Sequence, residues 1–331
     1  MTKTRGDFMN TYKKILALML CGLLTLTLLA GCSPGGGAAS SGSEAVVMIE
    51  DNDDVPLLNT PGISVLTPSA DGIKVYKNTK VYMDASNISQ GYVMVKYLGK
   101  NSKIKIQIKR SGSAVTYTYD INKRDAFEVF PFSEGNGSYT IKVFENISGT
   151  KYSQAFSKTM TVNLANQFLP FLYPNQYVDF TADSDVVKKA QELTTAAAVD
   201  LDKVEKIYDY VVGTFTYDRE KAATVKSGYL PDTDYILLIK KGICFDYAAV
   251  MSAMLRSQNI PSKLVVGYTG NAYHAWINVY IKGEGWVDAM IYFDGTKWQI
   301  MDPTFASTAG KSEAIIKYIS NPENYKAKYT Y

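Results

Sequence analysis

Hydrophobic positions along this chain recur with two different periods. Between residues 62 and 165 they alternate with polar ones, the pattern of strands with one buried and one wet face. Lys103–Lys109 (KIKIQIK) is the plainest case, isoleucine alternating with charged or amide side chains. Strands are predicted over Ile73–Tyr76, Lys80–Met83, Gly91–Tyr97, Lys103–Lys109, Ala114–Tyr119, Phe127–Phe132, Ser138–Phe144 and Thr159–Leu164. Asp71-Gly72, Ser111-Gly112, Gly135-Asn136-Gly137 and Ser148-Gly149 supply turns between them. Short strands separated in this way predict an all-β sandwich of Ig-like type.

An aromatic connector, Phe168–Phe180, then leads into a stretch with the helical period. Asp183-Ser184-Asp185 caps a predicted helix over Val186–Ala198. A second covers Asp202–Val212, with Val204, Ile207, Tyr208 and Val211 on one face. A third covers Phe245–Ser257, with Ala248, Met251, Met254 and Leu255 at helical spacing. Strands return at Lys263–Tyr268 and at Tyr273–Ile281, where His274, Trp276, Asn278 and Tyr280 share a face. Trp286–Phe293 and Lys297–Met301 flank Asp294-Gly295, a hairpin signal. A short helix is expected over Lys311–Ile319, followed by a polar, Tyr- and Lys-rich tail. Residues 166–331 are thus expected to form an α+β domain behind the sandwich.

The start of the chain reads differently. Lys13-Lys14 precedes an apolar run, Ile15–Leu28, and Leu29-Ala30-Gly31-Cys32 follows. This is the form of a secretory signal ending in a lipobox, with Cys32 the lipidated residue, so residues 1–32 are expected to act as a lipoprotein signal. Residues 33–61 open with SPGGGAASSGS, a Gly/Ser/Ala tether that lifts the body from a membrane surface. The expected location is extracytoplasmic, lipid-anchored to a bacterial membrane. Of the 331 residues 46% are hydrophobic and 20% charged, which suits globular domains. The net charge of +3 is too small to argue for nucleic acid.

Cysteine usage changes the picture most. Of the 3 cysteines, Cys21 and Cys32 lie in the leader, which leaves Cys244 alone in the body of the chain. His274 is the only histidine. A thiol becomes a good nucleophile once an imidazole takes its proton, and a carboxylate holds that imidazole in the right tautomer. Asp302, before Pro303, supplies the carboxylate. Cys244 also opens a predicted helix, where free N–H groups favour thiolate and can hold an oxyanion. Tyr217, in Phe215-Thr216-Tyr217-Asp218, is a candidate second oxyanion donor, and Trp276 a candidate substrate contact. A single histidine argues against a zinc site, and no cofactor is expected.

The arrangement Gly242-x-Cys244-x-Asp246-Tyr247-Ala248, Leu255-Arg256-x-x-x-Ile260-Pro261, Val266-Gly267-Tyr268, His274-Ala275-Trp276, Trp298 and Asp302-Pro303-Thr304 resembles the core of the transglutaminase-like (papain-like thiol) superfamily. The resemblance covers about the last 150 residues. It implies a papain-like core with a Cys–His–Asp triad at Cys244, His274 and Asp302. Asp288, close behind Trp286, is the other acid considered; Asp302 is preferred because it precedes Pro-Thr. The implied chemistry is acyl transfer or hydrolysis on a peptide or carboxamide, with water or a lysine amine as acceptor. Peptide or protein substrates, cell-wall peptides among them, are the expected partners. The alternative is a surface-tethered lipoprotein that grips peptide or glycan in such a cleft without turnover.

Overall fold

Isoleucine alternating with lysine folds as its period requires: Ile104, Ile106 and Ile108 are buried, and the residues between them reach solvent. The structure is a computed structural model that describes residues 65–283, 285–288, 292–293, 298–299 and 321–331. Its first part is two four-stranded antiparallel sheets. One has the order β1 (Val75–Lys77), β2 (Val81–Asp84), β3 (Tyr92–Tyr97), β6 (Glu128–Pro131). The other has the order β5 (Tyr117–Ile121), β4 (Ile104–Arg110), β7 (Gly137–Ser148), β8 (Lys151–Val162). Val81, Val93, Val95 and Phe130 from the first sheet share a core with Ile106, Ile141 and Val143 from the second. At the start of β7 the Tyr139 hydroxyl donates to the Gly135 carbonyl at 2.8 Å, the tyrosine corner of Ig-like sandwiches.

The hairpin of β7 and β8 runs much further than the alternation predicts. Pairing continues to Ser148 opposite Lys151, where most side chains of both strands reach solvent. Backbone hydrogen bonds sustain that end of the ribbon without a buried face, so no hydrophobic period marks it.

Beyond the connector the chain forms α1 (Asp185–Thr194), α2 (Asp200–Thr214), β9 (Thr216–Tyr217), α3 (Arg219–Thr224), α4 (Thr233–Ile239), β10 (Lys241–Gly242) and α5 (Cys244–Ser257). α5 is buried from Asp246 to its end and packs against α1, α2 and α4. It also lies on a sheet of order β13 (Gly285–Val287), β12 (Ala272–Ile281), β11 (Ser262–Thr269), β16 (Tyr325–Thr330). Trp286–Phe293 is not one strand: β13 pairs with β12, whereas β14 (Tyr292–Phe293) pairs with β15 (Trp298–Gln299) in a separate ribbon. The polar tail supplies β16, which pairs along β11. The helix expected over Lys311–Ile319 lies outside the described residues.

Arg256, near the end of α5, is buried and donates to main-chain oxygens among the described residues. Its guanidinium donates to Ser262 at 3.1 and 2.8 Å, to Tyr173 at 2.8 Å and to Tyr331 at 2.8 Å. It thereby joins α5, β11, the connector and the residue after β16.

Lys263 meets aromatic faces instead, 3.6 Å from the Trp286 ring and 5.0 Å from the Phe171 ring. Burial pushes its ammonium from 10.5 down to about 8, against the opposing pull of Asp288. Between those values the folded chain binds fewer protons than the unfolded one, so this group's contribution to stability should rise from about pH 8 to about pH 10. The melting temperature of wild type relative to Lys263→Met should therefore climb across that window. A constant difference would mean that Lys263 titrates normally.

Candidate active site

The site is built around the turn that feeds α5. Gly242 approaches Asp246 so closely that a Cβ there would lie 2.6 Å from the Asp246 Cβ and 2.8 Å from Oδ2. Only glycine fits without moving that carboxylate. The main-chain oxygen of Ile243 then takes the N–H groups of Asp246 at 2.9 Å and Tyr247 at 3.1 Å, which starts the helix. Cys244 is the first helical residue and is partly exposed. Its N–H and that of Phe245 belong to the first turn, where no helical carbonyl is available to them.

The Asp246 carboxylate secures this turn. It is fully buried and accepts from the Ile243 N–H at 2.9 Å, the Lys221 ammonium at 2.6 Å and the Tyr229 hydroxyl at 2.6 Å. Burial, and then the hydrogen bond to Asp246, push the Tyr229 phenol well up, so it stays a neutral donor. Asp246 belongs to the quoted motif but its role could not be read there, and no sequence signal marks Lys221 or Tyr229 as its partners. Gly242→Ala is expected to cost about 1–3 kcal/mol through this clash. A thermal melt reads it, and an unchanged melt would show that the turn has room to yield.

Tyr217 is held beside the turn that precedes Cys244 by backbone pairing. β9 and β10 run parallel, with Gly242 opposite Tyr217. The Asp218 N–H donates to Gly242 at 2.8 Å, and the Thr216 N–H to Lys240 at 2.9 Å. The Tyr217 phenol is pushed up, chiefly by burial and in smaller part by its proximity to Cys244. Tyr273, which is 59% exposed, is also pushed up, chiefly by burial and in smaller part by Cys244. The start of β12 therefore lies near the head of α5.

His274 follows Tyr273 directly and is buried opposite Gly267 of β11. Ala275, Ile277 and Val279 join the core that contains α5, so strand alternation puts His274 and Trp276 on the other face. The His274 ring stacks on Trp276 at 6.3 Å between centroids, with 23° between planes. Trp276 is itself buried against Val265 and Tyr325, so its ring is engaged in packing. The structure thus brings together Cys244, Tyr217 and the start of the histidine strand, with the imidazole on the Trp276 face.

Of the two candidate acids, Asp288 is engaged elsewhere: it accepts from the Asn278 side chain at 2.6 Å. Asn278 lies four residues along β12 from His274, about 13 Å at the rise of a strand. Asp302 lies outside the described residues, as does Cys32.

Residues 187–303 match the model of the transglutaminase-like superfamily. A curated relative, the uncharacterized protein YebA of Bacillus subtilis (strain 168), is 30% identical over 33% of this chain and 17% of its own length. A protein-glutamine gamma-glutamyltransferase of Pseudomonas aeruginosa is 25% identical over 34% of this chain and 18% of its own. The match thus spans under a fifth of the length of either relative. Among solved structures, the periplasmic domain of TgpA from Pseudomonas aeruginosa, bound to ethylmercury, covers 67% of this chain and 94% of its own with a TM-score of 0.32 and 15% identity.

Proposed function

Residues 187–303 being a transglutaminase-like domain, we propose that this chain is a thiol enzyme acting on peptide or carboxamide substrates through Cys244, His274 and Asp302. The supporting observation is the seat of Cys244: first residue of a buried helix, with Tyr217 and the start of β12 beside it. His274 takes the thiol proton as sulfur attacks the carbonyl carbon. The oxyanion forms against the Cys244 N–H and the Tyr217 hydroxyl. The C–N bond breaks, the leaving amine takes the proton from His274, and a thioester remains. Water, or a lysine amine, attacks the thioester while His274 accepts its proton, and that proton returns to sulfur as the product leaves. Asp302 orients the imidazole. The chain acts outside the cytoplasm, held to a membrane by lipid on Cys32, with cell-wall peptides or surface proteins within reach.

Thiol reactivity tests this reading. Iodoacetamide labelling of the Cys244 peptide, followed by mass across pH, is compared between wild type and His274→Ala. The expected result is fast labelling well below about pH 8 that falls at least tenfold in the variant. Slow labelling with the pH dependence of an ordinary thiol in both proteins would overturn it, and would favour a cleft that binds peptide or glycan without turnover.

A further inference from the structure

A thiolate at the head of α5 meets an obstacle on its own helix. The Asp246 carboxylate sits against the Ile243 N–H, one residue before Cys244, and no part of it reaches solvent. An unneutralised negative charge at that depth would oppose ionisation of Cys244. Other groups face this corner from neighbouring elements. Tyr217 and Asp218 come from β9 and its end, Arg219 from α3, and Tyr273, the residue before His274, from β12. Lys241 of β10 pairs with Asp218 at 3.4 Å, so those two charges offset each other. Both phenols are shifted above their ordinary value, so neither carries charge at neutral pH.

Lys221 stands apart from these. Its backbone N–H is capped by Asp218 at 3.0 Å, which fixes α3. Its ammonium reaches Asp246 at 2.6 Å and the Tyr229 hydroxyl at 2.6 Å, and lies 4.3 Å from the Tyr229 ring centre. Its side chain is 26% exposed, whereas that of Asp246 is 0% exposed. We infer that Lys221 is a positioning residue: the counter-ion that neutralises the buried Asp246 carboxylate, and so permits Cys244 to ionise at the head of α5. The inference rests on Cys244 being the nucleophile, yet its readout does not require His274 to act.

The test is the pH midpoint of Cys244 alkylation in the full chain, measured with iodoacetamide and peptide mass. Lys221→Met leaves the carboxylate uncompensated and should raise the midpoint by about one pH unit, a tenfold slower reaction at neutral pH. Lys221→Arg keeps the charge and should hold the wild-type midpoint. Asp246→Asn leaves the ammonium unopposed and should move the midpoint down. The double variant Lys221→Met/Asp246→Asn should return toward wild type. A purely structural role would slow alkylation in every variant without these opposite signs. If Lys221→Met does not fold, the direction of Asp246→Asn decides alone. An unmoved midpoint in a folded Lys221→Met protein, or an upward shift in Asp246→Asn, would overturn the inference. Loss of the His274→Ala effect with these shifts intact would instead count against the proposed triad.

Discussion

Cys244→Ala is expected to abolish turnover, lowering activity at least about a thousandfold, because no other group in the turn can form the thioester. The alanine keeps the helix, since Cys244 contributes no capping side chain and the first turn is set by the Ile243 carbonyl and the Asp246 carboxylate. The melt should therefore stay within about 1 kcal/mol of wild type while activity disappears. Two assays on a carboxamide-bearing peptide pool read the loss: ammonia release with amine incorporation, and formation of new peptide ends. Whichever of them wild type performs identifies the second substrate as amine or water. Activity in wild type should also fall on the acid side as the imidazole or its ion pair with sulfur is titrated, and a flat profile from about pH 5 to about pH 8 would exclude this mechanism. Retention of turnover in Cys244→Ala would place the chemistry outside the nucleophile turn altogether.

Arg256→Met is expected to cost about 3 kcal/mol or more, the largest stability effect of any single change considered for α5. The methionine fills the volume of the stem but donates nothing. Four hydrogen bonds to three main-chain oxygens disappear at a buried position. The loss reaches the connector at Tyr173 and the chain after β16 at Tyr331 as well as β11 at Ser262. Tyr331 packs edge-on against Tyr117 and Tyr119 of the sandwich at 5.7 Å each, so loosening it frees a contact between the sandwich and the helical part. Chemical denaturation should show a lowered midpoint, and limited proteolysis should cut first around the connector. Arg256→Lys should recover little, because an ammonium cannot span three carbonyl directions as a planar guanidinium does. A midpoint within about 1 kcal/mol of wild type would show that the carbonyls find other donors.

Much of the fold was legible because its signals are local. Ile104–Ile108 announces a half-buried strand by its own period, and the sheet observes it. Gly242 before Cys244 announces a break and a helix start, and α5 begins at Cys244. Phe215-Thr216-Tyr217-Asp218 stood out as a segment near the site, and β9 pairs it with the turn before Cys244. The failures share a physical cause. The end of the β7–β8 ribbon is open to solvent on both faces, so its pairing leaves no regular hydrophobic alternation. Trp286–Phe293 is apolar almost throughout, so nothing in its pattern reveals that its two ends belong to different sheets.

The sequence by itself determined the period of each element, the isolation of one thiol and one imidazole in the body of the chain, and the turn that starts α5. The periods and the turn depend on residues within a few positions of one another, and the isolation of the two groups is a count along the chain. Only the tertiary structure decided what surrounds Cys244. Lys221 and Tyr229 reach Asp246 across 25 and 17 residues, and Tyr331 reaches Arg256 across 75. A lysine on a six-residue helix reads as a solvated charge until folding carries it to a carboxylate that has no water of its own. The difference is one of desolvation: the pattern along a chain shows which side chains avoid water, whereas the cost of a buried charge, and the partner that offsets it, exist only once distant segments have closed around it.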